Sequence, residues 1–131
     1  MTALMPLQYP TGRDEETAVE FAIDPEKFHD AFAADLPAEQ AATQRPIAEL
    51  GFSEPNGKPA WKKLPSWAVV ASGDKAAGAD VVLSMAERAG ATITEAEGSH
   101  VIMVSQPQVV AEAILTALAA APQKEELRGS R

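Results

Sequence analysis

Two side chains in this sequence could share one chemical task. Asp74 follows the apolar run Trp67-Ala68-Val69-Val70-Ala71-Ser72 across Gly73, and His100 follows Gly98-Ser99 after a second strand-like run. A carboxylate that holds an imidazole in one tautomer and stabilises its protonated form makes two members of a nucleophilic triad. The third member is a serine or a cysteine, and the chain has no cysteine. Ser99 and Ser105 are tempting, but Ser99 adjoins His100, which seldom gives the required geometry. Ser105 reads instead as a helix N-cap. Asp80 competes with Asp74 for the role of acid, but it reads better as a capping or solvent-facing residue.

The pair works only if the surrounding elements bring both residues to one edge. Trp67 to Ser72 is short, apolar and bounded by Pro65 and Gly73, as a buried parallel strand is. Asp80 to Ala89 places Val81, Val82, Met85, Ala86 and Ala89 at helical spacing, with Gly90 positioned to end the helix. Ala91 to Glu95 is β-branched and reads as a second strand. Ser105-Gln106-Pro107-Gln108 resembles a capped helix start, followed by Val109, Val110, Ala113, Ile114, Ala117 and Leu118 at helical spacing. The order strand, helix, strand, helix predicts two parallel strands joined by a right-handed crossover. Both strands then end on the same edge, about 4.8 Å apart. Open parallel sheets bind their ligands at that edge.

Composition narrows the alternatives. With 131 residues the chain holds one domain or part of one, and its net charge of −8 offers no basic stripe for nucleic acid. The absence of cysteine and the presence of only two histidines make a transition-metal site a poor expectation. His29 reads as a surface residue. Gly73 and Gly78 bracket a short gap, but no Lys-Ser/Thr pair follows, so a phosphate cradle fits badly. No apolar run is long enough for a membrane span, and Met1 to Pro10 lacks the pattern of a signal peptide. A cytoplasmic location is the expectation.

The rest of the chain divides by its breakers. Residues 1–20 are expected to be irregular, with Pro6, Pro10 and Gly12 as breaks and Arg13 to Glu16 as a solvated charge cluster. Asp24-Pro25-Glu26 starts a helix carrying Phe28, Ala31 and Phe32. Further helical pieces are expected at Ala38 to Gln44 and from Pro46 to Leu50. Residues 21–58 therefore read as a helical cap over a pocket, with Phe28 and Phe32 on its inner surface. Residues 59–122 hold the strand–helix–strand–helix core, within which Trp61 and Trp67 read as core residues. Residues 123–131 form a polar tail.

Several segments carry a resemblance: FHDAFAADLP (28–37), QRPIAE (44–49), PAWKKLPSWAVVASGDKAAG (59–78), MAERAGA (85–91) and GSHVIMVSQP (98–107). Together they resemble the C-terminal half of α/β-hydrolase-fold serine esterases of the pyrethroid-hydrolase-like and salicylate-esterase-like group. The resemblance implies an α/β class and a partial α/β-hydrolase fold, with a helical cap followed by two strand–helix units of a parallel sheet. It implies that Asp74 matches the acid after the seventh strand and His100 the general base after the eighth. It implies no metal or organic cofactor, and carboxylic ester hydrolysis through an acyl-enzyme.

The sequence departs from that group in one respect. It has no G-x-S-x-G elbow, and Gly51-Phe52-Ser53-Glu54-Pro55 lacks the second glycine and a preceding strand. The HGGG-type oxyanion segment is also absent. The expectation is a chain that is inactive alone, and that takes a small-molecule ester only when an N-terminal half completes it. Two parallel strands would leave an apolar flank and a bare sheet edge, which invites self-association. The competing expectation is a non-catalytic binding or oligomerisation module derived from a hydrolase.

Overall fold

A computed structural model of the chain describes residues 4–11 and 17–121. The charge cluster expected at Arg13 to Glu16 and the polar tail at 123–131 lie outside the described residues. The elements fall into a three-stranded sheet near the N-terminus and a two-stranded parallel sheet with its helices.

The first sheet corrects the expectation of an irregular start. Strand β1, Leu4–Pro10, pairs antiparallel with β2, Thr17–Ile23, in a register running from Leu4↔Ile23 to Pro10↔Thr17. Pro6 and Pro10 do not break it, because β1 is an edge strand and a proline there can turn its missing N–H outward. β2 holds Val19, Phe21 and Ile23, residues that suit a pleated, half-buried surface. The Tyr9 hydroxyl donates to Glu20 Oε1 at 2.8 Å, diagonally across the pair.

The second correction concerns residues 21–58, which are not uniformly helical. Helix α1, Pro25–Phe32, starts where expected. Asp24 caps it by accepting from the Glu26 N–H at 3.0 Å, and Lys27 Nζ lies 2.6 Å from Asp24. Ala38–Thr43 is a 3₁₀ turn rather than an α-helix. After Pro46 the chain forms not a helix but a two-residue strand β3, Ile47–Ala48, against the free edge of β2. Those backbone groups have a ready partner in β2, and the Glu49 N–H extends the pairing to the Val19 carbonyl at 3.0 Å. One helical turn, α2, Leu50–Ser53, follows, and Phe52 meets the edge of Phe21 at 5.5 Å.

The parallel unit follows the predicted order. β4, Trp67–Ala71, pairs in parallel with β5, Thr92–Ala96, from Trp67↔Thr92 to Ala71↔Ala96. Helix α3, Ala79–Arg88, connects them and packs on β4. A short helix α4, Ile102–Ser105, precedes α5, Pro107–Ala120, which also packs on β4. Ser105 therefore closes α4 instead of capping α5. Gln106 occupies the N-cap of α5 without a side-chain bond to the helix.

The core is small. Phe28, Ala33, Val70, Ala71, Ala86 and Ile102 are its buried apolar residues, with Ser99 buried among the polar ones. Trp61, expected in the core, is 37% exposed. Among the described residues β4 pairs with β5 alone. Beside it lies an apolar groove of about 520 Å³, lined by Trp67 and Val69 of β4, Ile102 and Met103 of α4, and Val110 and Ile114 of α5. Leu115 and Leu118 of α5 are more than half exposed as well. Among the described residues no helix is long and apolar enough to cross a membrane.

Candidate active site

The parallel pairing continues past the strand ends, and this is what assembles the site. The Ser72 N–H donates to the Ala96 carbonyl and the Gly73 N–H to the Gly98 carbonyl, both at 2.9 Å. The loops after β4 and β5 therefore leave the sheet side by side. Gly73 permits this closeness, since a Cβ there would lie 2.7 Å from the Gly98 oxygen.

On the first loop, the Asp74 carboxylate is fixed by its own backbone. Its Oδ1 accepts from the Ala76 and Ala77 N–H groups at 2.9 and 3.0 Å. Its Oδ2 lies 2.9 Å from His100 Nδ1. Partial burial pushes the Asp74 carboxyl up. The hydrogen bond from His100, the Ala77 N–H, the His100 charge and the Ala76 N–H together outweigh that effect and leave it below the usual carboxylate range. Ionised Asp74 can only accept, so Nδ1 carries a proton in this contact, and in the neutral form of the ring it is the protonated nitrogen. Nε2 then carries the lone pair. The Asp74 side chain is only 7% exposed, whereas that of His100 is 41% exposed. The carboxylate is sheltered and the imidazole is accessible.

α1 supplies the other wall. Phe28 is buried at 2% exposure and stacks near Phe32, with ring centroids 6.1 Å apart. Phe32 meets the His100 ring edge-on at 5.6 Å. Of the two phenylalanines expected on the inner surface of a cap, Phe32 meets the histidine and Phe28 lies buried behind it.

The remaining candidates lie elsewhere or have other partners. The Ser99 Oγ accepts from the Val101 N–H at 3.3 Å. The Ser105 hydroxyl donates to Asp35 Oδ2 at 2.6 Å, so its expected capping role is replaced by a contact that the sequence did not signal. Contrary to expectation a strand, β3, does precede this segment, but Ser53 is the last residue of α2 and not at the strand-to-helix turn, and its hydroxyl lies 3.4 Å from the Glu49 carbonyl. Asp80 is exposed in the first turn of α3. His29 lies on α1, 3.3 Å from Asp30. Among the described residues no hydroxyl hydrogen-bonds His100 Nε2, and no group of three or more His, Cys, Asp or Glu could hold a metal ion.

Asp35 is the residue that sequence reading missed. It follows α1 in a turn and meets Ser99 from 64 positions away. No local pattern announces such a contact.

No curated protein and no solved structure gives a match. The sequence model described as "Alpha/beta hydrolase family" matches residues 2–113, which include both strands of the parallel pair and both members of the Asp74–His100 contact. The chain belongs to the alpha/beta hydrolase family.

Proposed function

We propose that this chain is the C-terminal portion of a serine carboxylic ester hydrolase, in which Asp74 and His100 are the triad acid and base. The observation that carries the reading is the 2.9 Å contact between Asp74 Oδ2 and His100 Nδ1, at the C-terminal edge of a parallel strand pair. Residues 21–58 act as the cap, and residues 59–122 as the last two strand–helix units of the core. The nucleophile and the oxyanion donors come from a separate N-terminal half, because this sequence contains no G-x-S-x-G elbow.

In the completed enzyme His100 Nε2 takes the serine proton as the serine oxygen attacks the ester carbonyl. Asp74 holds the ring in place and stabilises the imidazolium that forms. Collapse of the tetrahedral adduct breaks the C–O bond, and the leaving alkoxide takes the proton from Nε2. Water then repeats the sequence on the acyl-serine and releases the acid. Phe32 lies beside the imidazole and forms an apolar wall for one side of the ester.

The test is turnover of p-nitrophenyl acetate. The chain alone is expected to show no His100-dependent release of product. Addition of a separately produced α/β-hydrolase N-terminal half that bears the elbow should restore turnover, and His100→Ala should remove it by at least about 10³-fold. A His100-dependent burst from the chain alone would show that it contains its own nucleophile.

The apolar groove favours a second reading, a non-catalytic module that pairs its bare β4 edge with another chain or with itself. Size-exclusion chromatography with light scattering separates the two. A stable monodisperse monomer at all concentrations counts against the module.

A further inference from the structure

The segment that carries His100 is held at both ends by one carboxylate. Asp35 Oδ2 accepts from the Ser99 N–H at 2.9 Å, immediately before the histidine, and from the Ser105 hydroxyl at 2.6 Å, at the end of α4. The approach is close because residue 98 is glycine. A Cβ there would lie 3.3 Å from Asp35 Oδ2 and 2.9 Å from Ile102 Cγ1. A further tie, from Gln106 Nε2 to the Glu97 carbonyl, spans the same segment. Asp35 also comes three residues after Phe32, whose ring abuts His100.

We infer that Asp35 is a positioning residue for His100. It fastens the histidine-bearing segment 99–105 to the end of α1, and so fixes the imidazole between Asp74 and Phe32. Hydrogen bonds to an ionised acceptor are shorter and stronger than neutral ones, and the 2.6 Å contact from Ser105 is of that kind. Burial raises the Asp35 carboxyl, but the hydrogen bonds from Ser105, from Ser99 and from its own backbone pull it down to about 2. The carboxylate therefore stays ionised below the usual carboxylate range. The Gly73 N–H to Gly98 carbonyl bond and the Gln106 to Glu97 tie hold the histidine loop within the parallel unit. Asp35 adds the contact that joins that loop to the turn after α1. The inference deepens the triad reading and rests on it only for its consequence in catalysis.

The test observes the imidazole directly. The full chain has two histidines, so His29 serves as an internal reference, assigned with His29→Gln. Long-range ¹H–¹⁵N spectra of ¹⁵N-histidine-labelled chain at neutral pH should show His100 as the Nδ1–H tautomer, with a slowly exchanging low-field Nδ1 proton. In Asp35→Ala that proton signal should be lost and the two His100 nitrogens should move toward averaged positions, with His29 unchanged. Asp35→Asn keeps an uncharged acceptor oxygen and should fall between. Ser105→Ala removes one arm only and should move the His100 nitrogens part of the way. A folded Asp35→Ala, judged by circular dichroism, whose His100 nitrogens stay at wild-type positions overturns the inference. If Asp35→Ala fails to fold, an unchanged His100 signature in Ser105→Ala overturns it instead. Failure of the esterase reading looks different. The wild-type His100 signature would be intact, while the reconstituted protein turns over no ester.

Discussion

The C-terminal edge of the parallel pair and the flank of β4 beside α5 differ in how completely they are satisfied. At the C-terminal edge, each loop is hydrogen-bonded to its neighbour or to its own backbone, and the Asp74 carboxylate accepts from three groups. Along the flank beside α5, the groove is apolar and open, and Ile114, Leu115 and Leu118 are more than half exposed. The site is thus organised by short-range polar contacts within residues 28–105. The flank has surface to bury and nothing among the described residues that buries it. Large exposed apolar areas are rare on monomeric proteins, so this flank is where association is to be tested. The site and the small core behind it are held from within, whereas the flank leaves its apolar surface open.

The largest expected effect tests that division from the core side. Phe28→Ala removes the ring that backs Phe32, and should cost about 3–5 kcal/mol. Urea denaturation should show the loss, which for so small a core means a chain unfolded in dilute buffer.

Next comes the close approach of the two loops. Gly73→Val places a branched side chain where a Cβ alone would lie 2.7 Å from the Gly98 oxygen. It should destabilise the chain by about 1–3 kcal/mol and separate Asp74 from His100. Gly57→Ala, where a Cβ would meet nothing within 4 Å, is the control and should stay within about 0.5 kcal/mol. Equal midpoints for the two variants would show that the loops need no such contact.

Acid should act on the site rather than on the flank. Asp35 and Asp74 both have folded-state pKa values below their ordinary value of 3.8. The stability they contribute is fully present above the unfolded value and is lost as pH falls through the folded values, which for Asp35 means between about 4 and about 2. Circular dichroism followed from pH 5 to pH 2 should show unfolding in that window, and Asp35→Asn should weaken the dependence. Solvent screening keeps this effect smaller than the two above.

The smallest effect on stability should come from the flank itself. Leu115 is 64% exposed, and Leu115→Lys should change the denaturation midpoint by no more than about 0.5 kcal/mol. The same substitution should reduce self-association or reconstitution measured by light scattering. A large loss of stability would mean that the flank already supports the fold of the single chain.

Much of the parallel unit was legible in the residues. Val-rich Trp67 to Ala71, the helix ending near Gly90, and Thr92 to Ala96 all follow from local periodicity and breakers. The Asp74–His100 juxtaposition was legible as well, because parallel strands must end on one edge. The N-terminal sheet was not. Pro6 and Pro10 look like breakers until β2 makes β1 an edge strand, and Pro46 looks like a helix start until β2 offers it a ladder. Ser105 was misread for a related reason. Its neighbours imitate a cap, but the hydroxyl went to a charged acceptor, which is the stronger partner.

The sequence by itself determined the local states that depend on neighbours a few positions away: the Asp24 cap, the alternation of strand and helix after Pro65, and the lack of a serine elbow. Tertiary structure alone decided which edge strand tolerates proline, and which carboxylate among 19 acidic residues anchors the histidine loop. The physical reason is range. Backbone propensity is set within a turn or two of chain, whereas a hydrogen bond across 64 positions exists only after two layers have packed and brought its donor and acceptor together.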